Sequence, residues 1–159
     1  MKKYLLILTI GLISASFALP FGFEAGLGYV LQENDNHFFI NGSAIFPITD
    51  NFCLRTQLAS ISFHSGTTMI SVGTRSPLDL MLFFPQTTFN PYVLAGLNLS
   101  TGGGWTNFYL KGGAGVEFKF NEARFRPFVE GNFDFISISS GGTSTSDNFI
   151  TIKAGIRIK

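Results

Sequence analysis

The chain has 159 residues, with 11 basic side chains against 10 acidic ones, two histidines and one cysteine. That length suits a single domain, and nothing in the charge points to a nucleic-acid partner. The lone Cys53 excludes an internal disulfide and reads as a small packed side chain.

The first element is a leader. Lys2 and Lys3 precede an apolar run from Tyr4 to Ile13, and small residues follow to Ser16-Phe17-Ala18. This order predicts a secretory signal peptide over 1–18, cleaved after Ala18, and an exported domain over 19–159. The cleavage site has no cysteine, which argues against a lipid anchor. Loss of Lys2 and Lys3 turns 11 basic residues against 10 acidic into 9 against 10. After the leader no apolar run approaches the ~18 residues of a membrane helix, so any bilayer is crossed by strands.

Eight alternating segments follow, near 21–32, 36–46, 52–63, 67–84, 90–100, 106–120, 125–138 and 148–158. In the third, Leu54 and Leu58 share one face, whereas Ile61 and Phe63 take the other. In the fourth, even positions from Ile70 to Phe84 hold one face, and Pro77 predicts a bulge or a break. The connections QENDN, PITDN, HSGT, PQTTF, STGGGW, NEAR and SSGGTSTSD are short and rich in turn formers. The Gly-Ser-Thr run at 139–146 reads as a mobile loop tip. Short connections force antiparallel neighbours, so the fold class is all-β: an up-and-down meander closing into an eight-stranded barrel.

One face of the meander is charged and glycine-rich. It carries Glu24, Arg55, Arg75, Asp79, Lys111, Glu117, Glu130, Asp134, Lys153 and Arg157, with Gly26, Gly28, Gly113, Gly115 and Gly155 among them. Glycine is rare on an exposed strand face but makes room for long side chains in a narrow lumen. Enclosed charges need partners. A turn centred on Glu122-Ala123 sets Lys111 against Asp134, and barrel closure brings Glu24 towards Lys153 or Arg157.

The aromatics cluster at strand ends. Phe46 and Phe52, Phe84 and Phe89, and Phe120 and Phe125 bracket three breaks on one rim, where Phe21 and Phe23 also lie. Tyr29, Phe38, Phe63, Trp105, Phe108 and Phe149 populate the other. Two aromatic belts with aliphatic residues between them predict a transmembrane barrel, whose outward face meets lipid. Segment lengths fit the ~9–11 residues of a tilted membrane strand.

The stretches FNPYVLAGLNLS, LKGGAGVEFKFNEARFRPFVEGNFDF and FITIKAGIRIK resemble the second half of the small outer-membrane β-barrel family that includes the OmpA membrane domain and OmpX. FPITDNFCLR at 46–55 resembles that family's first periplasmic turn. The resemblance implies an eight-stranded barrel in the cell outer membrane, with both termini in the periplasm and four loops outside. It also implies outer-membrane lipids as surroundings and the barrel-assembly machinery as a partner during insertion. One departure stands out: family members end on an aromatic residue, whereas this chain ends Arg157-Ile158-Lys159.

No cofactor or metal is expected, because two distant histidines, His37 and His64, each expected at an outer loop, and one cysteine lack zinc-like spacing. Adjacency of His64 and Ser65 is not a nucleophile–base geometry, so no catalytic centre is expected either. GLG at 26–28 and GGAG at 112–115 lie inside strands with no following helix, which removes a phosphate-loop reading. The residues therefore support a barrel with a side-chain-filled lumen and a structural or surface-interaction role. The alternatives are a narrow passive channel for ions or small solutes, and a soluble exported barrel that binds a small ligand. Outer loops of about four to nine residues would limit the surface available to a partner.

Overall fold

The computed structural model describes residues 21–33, 35–72, 78–120 and 124–158. Its strands are β1 (Gly22–Leu31), β2 (His37–Pro47), β3 (Phe52–His64), β4 (Thr67–Val72), β5 (Leu78–Phe83), β6 (Phe89–Gly102), β7 (Trp105–Phe118), β8 (Phe125–Ser140) and β9 (Thr143–Ile158). All pairings are antiparallel. β4 and β5 both pair with β3, so they fill one position in the wall, and the strands form an eight-stranded barrel. First and last strands close it, running from Phe23 opposite Ile158 to Leu31 opposite Ile150. Closure pairs both edges of every strand except β4, which among the described residues pairs with β3 alone.

Local irregularities have local causes. Gly42 faces Ala59 but Ser43 faces Gln57, which leaves Leu58 as an extra residue on β3. That bulge reverses the alternation: odd-numbered Cys53 and Arg55 are buried before it, whereas odd-numbered Ala59 and Phe63 are exposed after it. The change of face between Leu54 and Ile61 seen in the sequence is this bulge. The break expected at Pro77 lies outside the described residues, as does Arg75. On either side of that segment Ala59 faces Val72 and Thr56 faces Leu78, so the ladders of β4 and β5 on β3 are out of step.

The run at 139–146 is not a loop tip. Ser140 pairs with Thr143, and Gly141 and Gly142 alone make the turn, with φ of 57° and 85°. Both angles are positive, as a two-residue hairpin turn of this hand requires, and glycine accepts them without a steric penalty. Ser/Thr alternation then continues the ladder, supported by hydroxyl contacts of Ser144 with Ser137 and Ser139 at 3.4 and 3.1 Å.

The wall is inside out relative to a water-soluble protein. Leu97, Leu110, Phe133, Ile152 and Ile156 are exposed, whereas Arg55 and Arg157 are 2 % and 0 % exposed. Phe21, Phe23, Phe84, Phe89, Phe120 and Phe125 are exposed on the rim where the chain enters, with Phe46 and Phe52 half-buried beside them. Trp105, Phe108, Phe38 and Phe63 are exposed towards the far rim.

Candidate functional site

The inward positions of the strands meet in a charged layer across the lumen. Arg55, from β3, is its centre. Its Nε and Nη2 donate to Asp79 at 2.9 and 2.6 Å, and its Nη1 donates to both oxygens of Glu24 at 3.2 Å. Nη1 and Nη2 also hold Glu130 at 2.7 and 2.9 Å. Arg157, from β9, donates to Glu24 at 2.8 Å, to Glu117 at 3.3 Å and to the Tyr92 hydroxyl at 2.8 Å. Its guanidinium also lies over the Phe128 ring, 4.2 Å from the centroid. Tyr92 passes the contact on, donating to Glu130 at 2.8 Å. Lys153 lies 2.7 Å from Glu24 and 3.4 Å from Glu130, Arg126 lies 3.1 Å from Glu117, and Lys111 lies 3.2 Å from Asp79.

Among the described residues the layer is balanced. Arg55, Lys111, Arg126, Lys153 and Arg157 stand with Glu24, Asp79, Glu117, Glu130 and Asp134. Burying any one of these charges alone would cost several kcal/mol, on the order of what a whole domain has to spare. Mutual pairing and charge-assisted hydrogen bonds are what make the layer tenable.

Register and reach must be separated here. Lys111 does face Asp134 across β7 and β8. Its ammonium group turns away, however, to Asp79 on β5, and Asp134 is hydrogen-bonded by the hydroxyls of Tyr109 and, at 2.7 Å, Thr151. Glu24 meets both Lys153 and Arg157, and Arg55 as well. Sequence reasoning did not place Tyr92, Tyr109, Phe128 or Thr151 in the lumen. A signal existed for Tyr92, which the register sets opposite Gly115. A Cβ on Gly115 would collide with the Tyr92 ring and come within 2.7 Å of the Val129 carbonyl. Gly155 plays the same part for Phe128, whose ring would lie 2.8 Å from an added Cβ.

Two open spaces flank the layer. Towards the entry rim, Ile45, Cys53, Met81, Phe83, Tyr92 and Leu94 form an apolar cluster, beneath which a cavity of about 500 Å³ is bordered by Phe21, Asp50 and Arg126. Cys53 packs there, buried and outside any disulfide. Towards the far rim, a polar cavity of about 220 Å³ runs from Glu130 and Lys153 to His37 and Phe149. The side-chain oxygens of Asn41 and Asn132 find no protein donor among the described residues, and both residues line this second cavity, which has room for water. Between the cavities lie Arg157, Glu24 and Phe128, each at most 2 % exposed.

The two histidines are not apart, contrary to expectation. Their rings stack with centroids 4.0 Å apart, and both approach Asp35 at the far mouth.

No family model and no curated relative matches the sequence. The fold is similar to the crystal structure of Neisserial surface protein A, with a TM-score of 0.57. That likeness covers 87 % of this chain and 96 % of that one at 15 % identity. At this identity the likeness establishes a shared barrel fold.

Proposed function

We propose that the chain is exported and lies in an outer membrane as a plugged barrel, acting through its surface and not by conduction or catalysis. The observation that carries the reading is the buried layer of Arg55, Arg157, Glu24, Glu130 and Phe128, which separates the two cavities. A hydrated ion would have to strip several charge-assisted hydrogen bonds to pass it, and each is worth about 1.5–3 kcal/mol. The surrounding wall favours lipid over water: exposed Leu, Ile, Val and Phe run round the barrel, an apolar surface of a size that soluble monomers avoid. Phe46, Phe52, Phe84, Phe89, Phe120 and Phe125 would then form the interfacial girdle on the periplasmic side. Membrane lipids and, during insertion, the barrel-assembly machinery are the partners this reading requires.

A surface role is supported by the far rim. β8 and β9 have 16 residues each, against the ~9–11 that cross the hydrocarbon, so their Ser/Thr-rich ends would project outside. The similar solved barrel is described as a surface protein.

The test has two parts. Fractionation should recover the protein with the outer membrane, in a form whose gel mobility shifts on heating. Purified protein in planar bilayers should give no discrete conductance steps. Reproducible single-channel events would replace this reading with a narrow channel, and recovery as a soluble species would replace it with an exported ligand-binding barrel.

A further inference from the structure

The far mouth holds a donor cluster that the charged layer does not use. Phe38 faces Phe63 at the end of the β2–β3 ladder, and one step further out come His37 and His64. The Leu58 bulge makes this so. In the register set at the β2–β3 turn, where Pro47 faces Cys53, His37 would meet Phe63, and the extra residue moves it to His64. The two imidazoles stack at 4.0 Å with their planes 32° apart. Asp35 reaches them from the β1–β2 connection. Its carboxylate accepts from His64 Nδ1 at 2.8 and 3.0 Å and lies 3.7 Å from His37 Nδ1, while its main-chain carbonyl accepts from His37 Nδ1 at 2.9 Å.

This arrangement has the features of a metal site. Nδ1 of His37 and Nδ1 of His64 both face the Asp35 carboxylate. With each neutral ring in its Nε2–H tautomer, the two Nδ1 lone pairs and a carboxylate oxygen converge, and an ion there replaces the Nδ1–H hydrogen bonds. Donor atoms from all three residues lie within 4.8 Å of one another. A tetrahedral zinc ion with bonds of ~2.0–2.1 Å needs ligands roughly 3.4 Å apart, and Asp35 Oδ2 stands 2.8 Å from His64 Nδ1 and 3.7 Å from His37 Nδ1. The side chains of His37, His64 and Asp35 are 12 %, 21 % and 45 % exposed, so an ion can enter from the far side. Two imidazoles and one carboxylate select a borderline transition ion over calcium or magnesium, which prefer all-oxygen shells.

We propose that Asp35, His37 and His64 bind one divalent transition-metal ion of the zinc class at the far mouth of the lumen. The ion ties the β1–β2 connection to the end of β3, and its remaining position is open to water or to a ligand from outside. This assignment stands whether or not the barrel is plugged.

The experiment uses the full exported chain, folded in detergent and carrying no histidine tag. Calorimetric titration with ZnCl₂ should give one ion per chain with a Kd in the micromolar range or tighter. Nitrogen-15 spectra should show both imidazoles moving together at one equivalent. His64→Ala and His37→Ala should each weaken binding at least tenfold, Asp35→Asn should weaken it by a similar or smaller factor, and Cys53→Ser should leave it unchanged. Each variant should keep the heat-dependent gel shift of a folded barrel, because these side chains sit at the mouth and not in the wall. Absence of zinc binding below millimolar concentration would overturn the assignment. So would binding that survives the His37→Ala/His64→Ala double variant, or binding matched by CaCl₂.

Discussion

Arg55 and Glu130 meet side to side in the middle of the barrel, with Nη1 2.7 Å and Nη2 2.9 Å from the two carboxylate oxygens. The same guanidinium reaches Asp79 and Glu24, so three carboxylates from three strands converge on one cation. Lys111, Lys153 and Arg157 then neutralise the outer sides of those carboxylates. The geometry is two-sided in energy. An assembled ion cluster of this kind can be close to neutral relative to an apolar core of the same shape, but a cluster missing one member is not.

Replacing Arg55 with Met should therefore lower stability by about 3–5 kcal/mol, because it leaves Glu24, Asp79 and Glu130 facing one another. Glu130→Gln, which keeps most hydrogen-bonding atoms, should cost less, on the order of 1–3 kcal/mol. Urea unfolding in lipid vesicles, followed by the fluorescence of the single tryptophan Trp105, measures both. A loss below about 1 kcal/mol for Arg55→Met would mean that water reaches the layer and screens it.

How far the sequence carried the site is visible in this layer. Alternation identified the inward face, because period 2 is a property of the backbone and needs no tertiary information. Turn position identified wall neighbours, which is why Lys111 and Asp134 do face each other. Contacts across the lumen were not legible. Whether Lys111 reaches Asp79 instead depends on barrel stagger and side-chain length, and neither leaves a local mark in the chain. Phe128 shares the inward parity of Arg126 and Glu130 but was not placed in the lumen, where it is 1 % exposed beside the space above Gly155. The histidine pair was hidden by one bulged residue, although the change of face between Leu54 and Ile61 had marked the bulge.

Gly115→Ala should destabilise the barrel by roughly 1–3 kcal/mol, the usual range for forced overpacking. The added methyl meets the Tyr92 ring and approaches the Val129 carbonyl at 2.7 Å. Tyr92→Leu in the same chain removes the first conflict and leaves the second, so a double-mutant cycle should show partial rescue with a favourable coupling above 0.5 kcal/mol. Strict additivity would show that the ring already has room to move.

The wall offers a test of lipid contact that does not touch the lumen. Leu97 is 60 % exposed and lies between Leu78 and Leu110, in the middle of the apolar surface. Leu97→Arg should cost about 2–4 kcal/mol for folding into vesicles, the value for a cation near the bilayer midplane. Ile138→Arg, on β8 at the level of Trp105 and Phe108 near the interface, should cost about 0–1 kcal/mol. Equal and small costs at both positions would place the wall in water.

The β8–β9 hairpin tests turn chemistry. Gly141 and Gly142 hold φ of 57° and 85°, a region where a Cβ costs about 1–2 kcal/mol per residue. Changing both to Ala should fray the ladder from Ser140 and Thr143 inwards, releasing the Ser144 hydroxyl contacts with Ser137 and Ser139. Changing the pair to Asn-Gly, which tolerates both positive angles, should preserve it. Amide hydrogen exchange over 137–146 provides the measurement, with faster exchange expected in the Ala-Ala chain alone. Global stability should hardly move, because these residues start level with Trp105 and Phe108 at the rim and carry none of the buried charges. Unchanged protection in the Ala-Ala variant would mean that Ser/Thr pairing along the strands, and not the turn, holds the projecting hairpin together.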